Sequence, residues 1–238
     1  MDSTTLLWWM RDQGIGHVHT VAIDYGQRHR IELESSIRLS ATSGSATHKV
    51  ITIDLKQIGG SPLTNDEMDV PAASDNSQIT TVVPYRNTMF MTAATAYAET
   101  QGIQDIYISP VKDDYSAYRD CRREFYDALE SSLTLGATHN IPVRIHTPFV
   151  HWTKSEVVRE GIRLNVPYDQ THTCYKGTRP ACGTCDACTE RIDAFKTNHT
   201  ADPIPYAIDI VWHDWASADP GTNEESRTRL QIGFGSPL

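Results

Sequence analysis

Hydrophobic positions first recur at Leu6, Trp9 and Met10, one helical face at the spacing i, i+3, i+4, directly behind Asp2-Ser3, a pair able to cap a helix. The pattern predicts a chain that opens in a helix. Residues 17–24, His-Val-His-Thr-Val-Ala-Ile-Asp, read as a strand, and Leu33, Ile37 and Ala41 set a second helix behind it. Ile51, Ile53 and Leu55 share one face of a second strand over 48–55. From Gly59 to Gln78 the sequence turns to Gly, Pro, Asp and Ser, the composition of a long loop or lid.

Adjacent pairs then recur every fourth residue, Met89-Phe90, Ala93-Ala94 and Tyr97-Ala98, predicting a core-packed helix that closes near Gly102. A strand at 105–109, a helix carrying Phe125, Leu129 and Leu133, and a strand at 143–147 follow. Thr153-Lys154-Ser155-Glu156 is a capping box that opens another helix. Strands alternating with helices indicate an α/β fold: a mostly parallel sheet with helices on both faces. Ligands of such a sheet sit beyond the carboxyl ends of the strands, where Asp24, Asp54 and Ser109 fall. Residues 200–238 contain Trp212 and Trp215, then a polar run without periodicity, expected to dock in part and end as a mobile tail.

Composition narrows the function. With 238 residues, 39% hydrophobic and 21% charged, the chain is expected to form one main domain that is neither disordered nor membrane-embedded. Its longest early apolar run, Leu6 to Met10, is too short to span a bilayer and follows Asp2, so no export signal is read. A formal charge of −9 repels phosphate backbone, which disfavours a nucleic-acid-binding module but leaves small nucleotides open as ligands of a local cationic pocket. Four of the five cysteines, Cys174, Cys182, Cys185 and Cys188, lie within fifteen residues at the spacing C-x7-C-x2-C-x2-C. That is the distribution of a metal site in a reducing, cytoplasmic compartment and not of a disulfide framework. Four thiolates suit tetrahedral Zn²⁺ and leave no position for water, so the metal is structural; an iron–sulfur cluster is the competing occupant. Cys188, Ile192 and Phe195 share a helical face that would anchor this knot to the core.

The run from Cys174 to Cys188, preceded by Val166-Pro167-Tyr168, resembles the zinc-binding end of the 7-cyano-7-deazaguanine synthase family. Four further segments match that family in order: Asp24-Tyr25-Gly26-Gln27-Arg28-His29, Val83-Pro84-Tyr85-Arg86-Asn87, Asp120-Cys121-Arg122-Arg123-Glu124-Phe125, and Thr147-Pro148 with Thr153 to Glu156. Together they cover about residues 2–198. The resemblance implies an adenine nucleotide alpha hydrolase-like fold of the pyrophosphate-loop superfamily: an α/β nucleotide-binding domain over 1–165, a small zinc-binding lobe and helix over 166–199, and an extension over 200–238. It also implies an ATP-dependent carbon–nitrogen ligase that converts 7-carboxy-7-deazaguanine and ammonia into 7-cyano-7-deazaguanine, in queuosine-type nucleoside biosynthesis. The implied cofactors are ATP with Mg²⁺ and one structural Zn²⁺. A homodimer with no direct nucleic-acid or membrane partner is expected.

Family position makes Asp2, Ser3, Arg86 and Lys154 the catalytic candidates, and Asp2, Ser3, Arg28 and Asn87 the nucleotide-binding ones. Asp120, Arg122 and Glu124 become substrate contacts. Residue type alone reads Arg28, His29, Arg86 and Asn87 as surface pairing or caps, and the charged run at 120–124 as a solvated helix start. Cys121 is read as a buried structural residue, since adenylation needs no protein nucleophile. The alternatives are a noncatalytic zinc-bearing homologue or another pyrophosphate-loop ligase. Two departures from the family pattern stand out: Arg119 replaces a usual proline, and of the loop Ser-Gly-Gly-x-Asp-Ser only Met1-Asp2-Ser3 is present. Met1 is therefore expected to be internal to that loop, with a central strand ahead of it. The strands at 17–24 and 105–109 would then flank a gap of roughly 9–10 Å and not pair with each other.

Overall fold

The computed structural model describes residues 1–74, 77–138 and 142–212. Helix α1 (Asp2–Asp12) has Met1 as its cap residue and no side-chain cap bond, so Asp2 lies inside the first turn instead of closing it. Strand β1 (His19–Asp24), helix α2 (Ile31–Ser43) and strand β2 (Thr47–Thr52) form a parallel crossover unit, with His19 opposite Thr47 and Asp24 opposite Thr52. After the one-turn helix α3 (Ser77–Thr80) come α4 (Arg86–Thr100) and β3 (Asp105–Tyr107), then α5 (Arg123–Gly136) and β4 (Arg144–His146). Strands β3 and β4 are again parallel, Asp105 opposite Arg144. Helices α6 (Lys154–Arg163) and α7 (Asp186–Thr197) complete the described residues. The α/β class and the parallel pairing follow the rhythm of the sequence.

β1 and β3 do not pair, and each two-stranded unit keeps its own ladder. A cavity of about 1000 Å³ runs between them, from His17 and Gln104 at the amino ends of the strands to Tyr25 and Ser109 at the carboxyl ends. The two strands thus line a common opening. Its walls are α1, α2 and α4.

Two expectations are corrected. The stripe Leu33, Ile37, Ala41 is not the buried face of α2: Ile37 is 52% exposed, while Ser35, Leu39, Ser40 and Ser43 are buried. Hydroxyls make this contact, Ser40 Oγ lying 2.7 Å from Thr20 Oγ1 and Ser36 Oγ 3.3 Å from His48 Nε2. Satisfied polar groups can face a core as well as apolar ones, and an apolar count then picks the wrong face. The described part of the segment 59–78 is a loop over 59–74 that is not a free lid, with Ser77 already in α3. Leu63 and Val70 are buried among the cysteines, Ala73 N–H donates to Thr184 O at 2.8 Å, and Ser77 Oγ donates to Asp186 at 2.6 Å. Within the described residues of the extension, Trp212 packs against Tyr206 and near Phe195. Trp215 and the expected mobile tail lie outside the described residues.

Helix α6 begins in the capping box read from sequence: Glu156 N–H donates to Thr153 Oγ1 at 3.2 Å, and Thr153 N–H to the Glu156 carboxylate at 2.7 Å. Its last turn is fixed by Tyr168, whose hydroxyl is 2.7 Å from Thr5 Oγ1 and whose ring meets Phe195 edge-on. Tyr168 lies so close over Gly161 that a Cβ there would overlap its hydroxyl. Gly161→Ala should therefore cost about 1–3 kcal/mol, the usual penalty for overpacking a filled core. Denaturant midpoints of the two proteins check this; an unchanged midpoint would mean that the Tyr168 contact is soft.

Candidate active site and metal centre

Cys182 and Cys185 enclose a turn whose Gly183 has φ +74°, a left-handed backbone that favours glycine, and Ile208 packs where its side chain would be. Cys185 then caps α7, so Cys188 lies in the helix's first turn. The four sulfurs of Cys174, Cys182, Cys185 and Cys188 lie within 4.8 Å of one another. Cys182 and Cys188 sulfurs are 3.9 Å apart, and tetrahedral Zn–S bonds of about 2.3 Å imply S···S separations of about 3.8 Å. Backbone amides face the sulfurs as well: Cys182 N–H donates to Cys174 Sγ at 3.3 Å, and Thr184 and Cys185 N–H to Cys182 Sγ at 3.4 Å. Hydrogen bonds from the Cys185 and Cys188 thiols hold Cys174 far below the usual thiol range. The donor set fits a soft, tetrahedral metal ion. Cys121 is apart from it, buried beside Asn87, and burial pushes its thiol up to about 12. It is neither a ligand nor an activated nucleophile.

At the carboxyl ends of β1 and β3 the cavity wall carries two cations. Lys154, the first residue of α6, holds its ammonium 2.8 Å from Glu190, 3.6 Å from Asp114 and 3.7 Å from Asp2. These carboxylates keep Lys154 charged well above the ordinary lysine range despite its burial. Burial, in turn, raises Asp114 and Glu190. Asp2 keeps one carboxylate oxygen, Oδ1, buried without a hydrogen-bond partner among the described residues. Arg86, the first residue of α4, is set differently, lying among Tyr25, Tyr175, Tyr118 and Cys121 with its guanidinium 5.9 Å from the Phe90 ring.

Of the residues picked from sequence, Asp2, Ser3, Arg86 and Lys154 come together on this wall. Five do not. Arg28 donates to Asn65 O and Met68 O at 3.0 and 2.7 Å, pinning the 59–78 loop. Asn87 donates from its side-chain amide to Asp120 O, and Asp120 accepts from Asn87 N–H at 3.4 Å, a brace between α4 and the turn before α5. Arg122 donates to Tyr115 O at 2.9 Å, and Glu124 is exposed. Sequence reasoning missed Asp114, Glu190, Tyr118 and Tyr175. Only Tyr175 carried a signal, its place next to the ligand Cys174.

These features define a class: an α/β protein with a pocket at its strand ends, buttressed by a four-cysteine cluster able to hold a metal ion. Residues 1–199 match the family described as queuosine biosynthesis protein QueC. The chain is 41% identical to the 7-cyano-7-deazaguanine synthase of Clostridium kluyveri, over 87% of this chain and 93% of that protein. It is 43% identical to that of Rhodopirellula baltica, over 85% and 86%, and 41% identical to that of Thermoplasma acidophilum, over 87% and 88%. The chain belongs to the QueC family, a family of enzymes.

Lys154→Met leaves three carboxylates facing one another. Breaking a buried ion pair from one side costs about 3–5 kcal/mol, and a loss of that order is expected at neutral pH. Asp114 and Glu190 already have raised pKa values, so the folded state binds their protons more readily than the unfolded state. Stability from these groups therefore falls as pH rises through the unfolded and then the folded pKa. The variant should regain part of its loss on acidification from pH 7 to about 5, while the parent changes less. Urea midpoints across that range test both signs; a pH-independent deficit would contradict the charge account.

Proposed function

We propose that this chain makes 7-cyano-7-deazaguanine from 7-carboxy-7-deazaguanine, ammonia and two molecules of ATP. The observation that carries this reading is the coincidence of the family match with the charged cavity wall: Asp2, Ser3, Arg86 and Lys154 line one space. A carboxylate is a poor electrophile because its oxygen is a poor leaving group. Its oxygen would attack the α-phosphorus of ATP, displacing pyrophosphate; ammonia would then attack the carbonyl carbon, expelling AMP and losing a proton. The amide oxygen would be adenylated in the same way by a second ATP. Loss of the remaining N–H protons and cleavage of the C–O bond release AMP and leave the nitrile.

In this reading Asp2 and Ser3 face the nucleotide phosphates, and Lys154 counters the charge that builds on phosphorus. Mg²⁺, carried on those phosphates, would supply further charge neutralisation. The Asp2 carboxylate, with an unpartnered oxygen on the cavity wall, is a hard donor suited to that ion. Zn²⁺ held by Cys174, Cys182, Cys185 and Cys188 supplies a cross-link and no chemistry, since thiolates fill its coordination. The fold is read as the adenine nucleotide alpha hydrolase type, with a nucleotide-binding body over 1–165 and a metal lobe over 166–199. A cytoplasmic homodimer acting on small molecules is part of the same reading; among the described residues no helix is long and apolar enough to cross a membrane.

The test is direct. Protein incubated with the 7-carboxy compound, ATP–Mg²⁺ and ammonium should yield amide and then nitrile by mass spectrometry, with Asp2→Ala slower. Metal analysis should return one zinc per chain. Folded, metallated protein that binds no ATP and forms neither product would favour the noncatalytic homologue.

A further inference from the structure

The two cations of the cavity wall are not equivalent. Lys154 is matched by three carboxylates. Arg86 has no carboxylate within 4 Å among the described residues; its neighbours are the phenols of Tyr25, Tyr118 and Tyr175, the Phe90 face and the Cys121 thiol. Burial raises the Tyr25 and Tyr118 phenols and that thiol, so none of these is a counter-ion at neutral pH. A half-buried guanidinium on a cavity wall with no anion beside it leaves its charge unmatched. The backbone reinforces the placement: Tyr85, just before Arg86, has φ 55°, a left-handed conformation rare for a bulky residue, with its ring 78% exposed. That turn sends Tyr85 outward and Arg86 inward, and strain of this sort persists where the surrounding structure enforces it.

We infer that Arg86 and the rings around it are the receptor for the carboxylate of a planar heteroaromatic acid, which on the reading above is 7-carboxy-7-deazaguanine. Three features favour this ligand over a nucleotide phosphate. A guanidinium fork matches a carboxylate in bidentate fashion. Phe90 presents its ring face to the cation and Tyr25, Tyr118 and Tyr175 bring aromatic side chains beside it, an environment suited to a flat aromatic body. Backbone amides, the usual phosphate partners at a helix start, are already engaged here: Arg86 N–H bonds Val83 O, and Asn87 N–H faces the Asp120 carboxylate. The receptor also sorts substrate from product. The acid carries the charge that Arg86 lacks, whereas the amide and the nitrile are neutral and are held by the rings alone.

The experiment titrates the zinc-loaded full chain, without ATP, with 7-carboxy-7-deazaguanine, its 7-carboxamide and the 7-cyano compound. The parent should bind the acid about ten- to hundredfold tighter than the amide, the range for a charge-assisted pair. Arg86→Gln should bring the acid down to the amide's affinity and leave the amide within about twofold, while Arg86→Lys recovers part of the preference. The acid-to-amide ratio of the parent stands as a test whether or not a variant folds. Equal binding of acid and amide by the parent overturns the receptor but not the synthase reading. Failure to bind any of the three compounds overturns both. An Arg86→Gln protein that keeps its acid preference and loses ATP affinity would assign Arg86 to phosphate instead.

Discussion

The Lys154 ammonium is the point on which the site depends. Glu190 from α7, Asp114 from the turn after β3 and Asp2 from α1 converge on it, so four segments up to 188 positions apart are held by one charge. Its position follows from the helix it begins. The Thr153–Glu156 capping box fixes the first turn of α6, and Lys154 N–H donates to Asp113 at 2.7 Å. The residue therefore enters the cavity with its backbone already tied to the turn that carries Asp114. Three carboxylates around one ammonium leave a net deficit of positive charge. A polyphosphate arriving there needs a divalent cation, whereas the Arg86 corner can take an anion without one.

The metal knot serves this arrangement from behind. Cys188 and Glu190 share the first turns of α7, so whatever fixes the sulfurs also fixes the carboxylate that bonds Lys154. The strap over 59–78 reaches the same helix through Ser77 and Asp186, and Gln78 bonds Glu190 directly. One turn further along α7, Arg191 and Asp202 have fully buried side chains and form a bidentate pair at 2.6 and 2.8 Å, with Thr171 Oγ1, Tyr168 O and the Tyr206 hydroxyl completing their hydrogen bonds. Such a pair is stable in a low-dielectric interior only because its remaining donors and acceptors are satisfied. Helix α7 is thereby held at its start by the cysteine cluster and one turn on by the buried ion pair, which leaves Glu190 between them little freedom to drift.

The legible parts of the sequence were those set by local rules. The capping box, the strand–helix alternation and the cysteine spacing each depend on residues a few positions apart, and each stands in the structure. The face of α2 was illegible because hydroxyls of Ser36 and Ser40, paired with Thr20 and His48, do work that pattern reading assigns to apolar groups. The charge hub was half legible. Lys154 and Asp2 were found by family position, but Asp114 and Glu190 sit at places where acidic residues ordinarily face solvent, and only the tertiary fold turns them inward. Arg28 shows the reverse: a residue type that suits phosphate was engaged by two loop carbonyls.

The division between β1 and β3 connects these points. A parallel strand paired on one side only leaves a row of backbone donors and acceptors that must be met by water or another chain segment. Here both open rows face the same cavity, so the space that holds the cations at its carboxyl end is continuous with an unpaired, largely apolar channel behind. Water in that channel would raise the local dielectric and weaken every interaction at Lys154 and Arg86. Excluding water from the channel would lower the dielectric, and the same charges would then act more strongly without any residue of the site moving. The strength of the site's electrostatics is in this way coupled to how wet the space between β1 and β3 is.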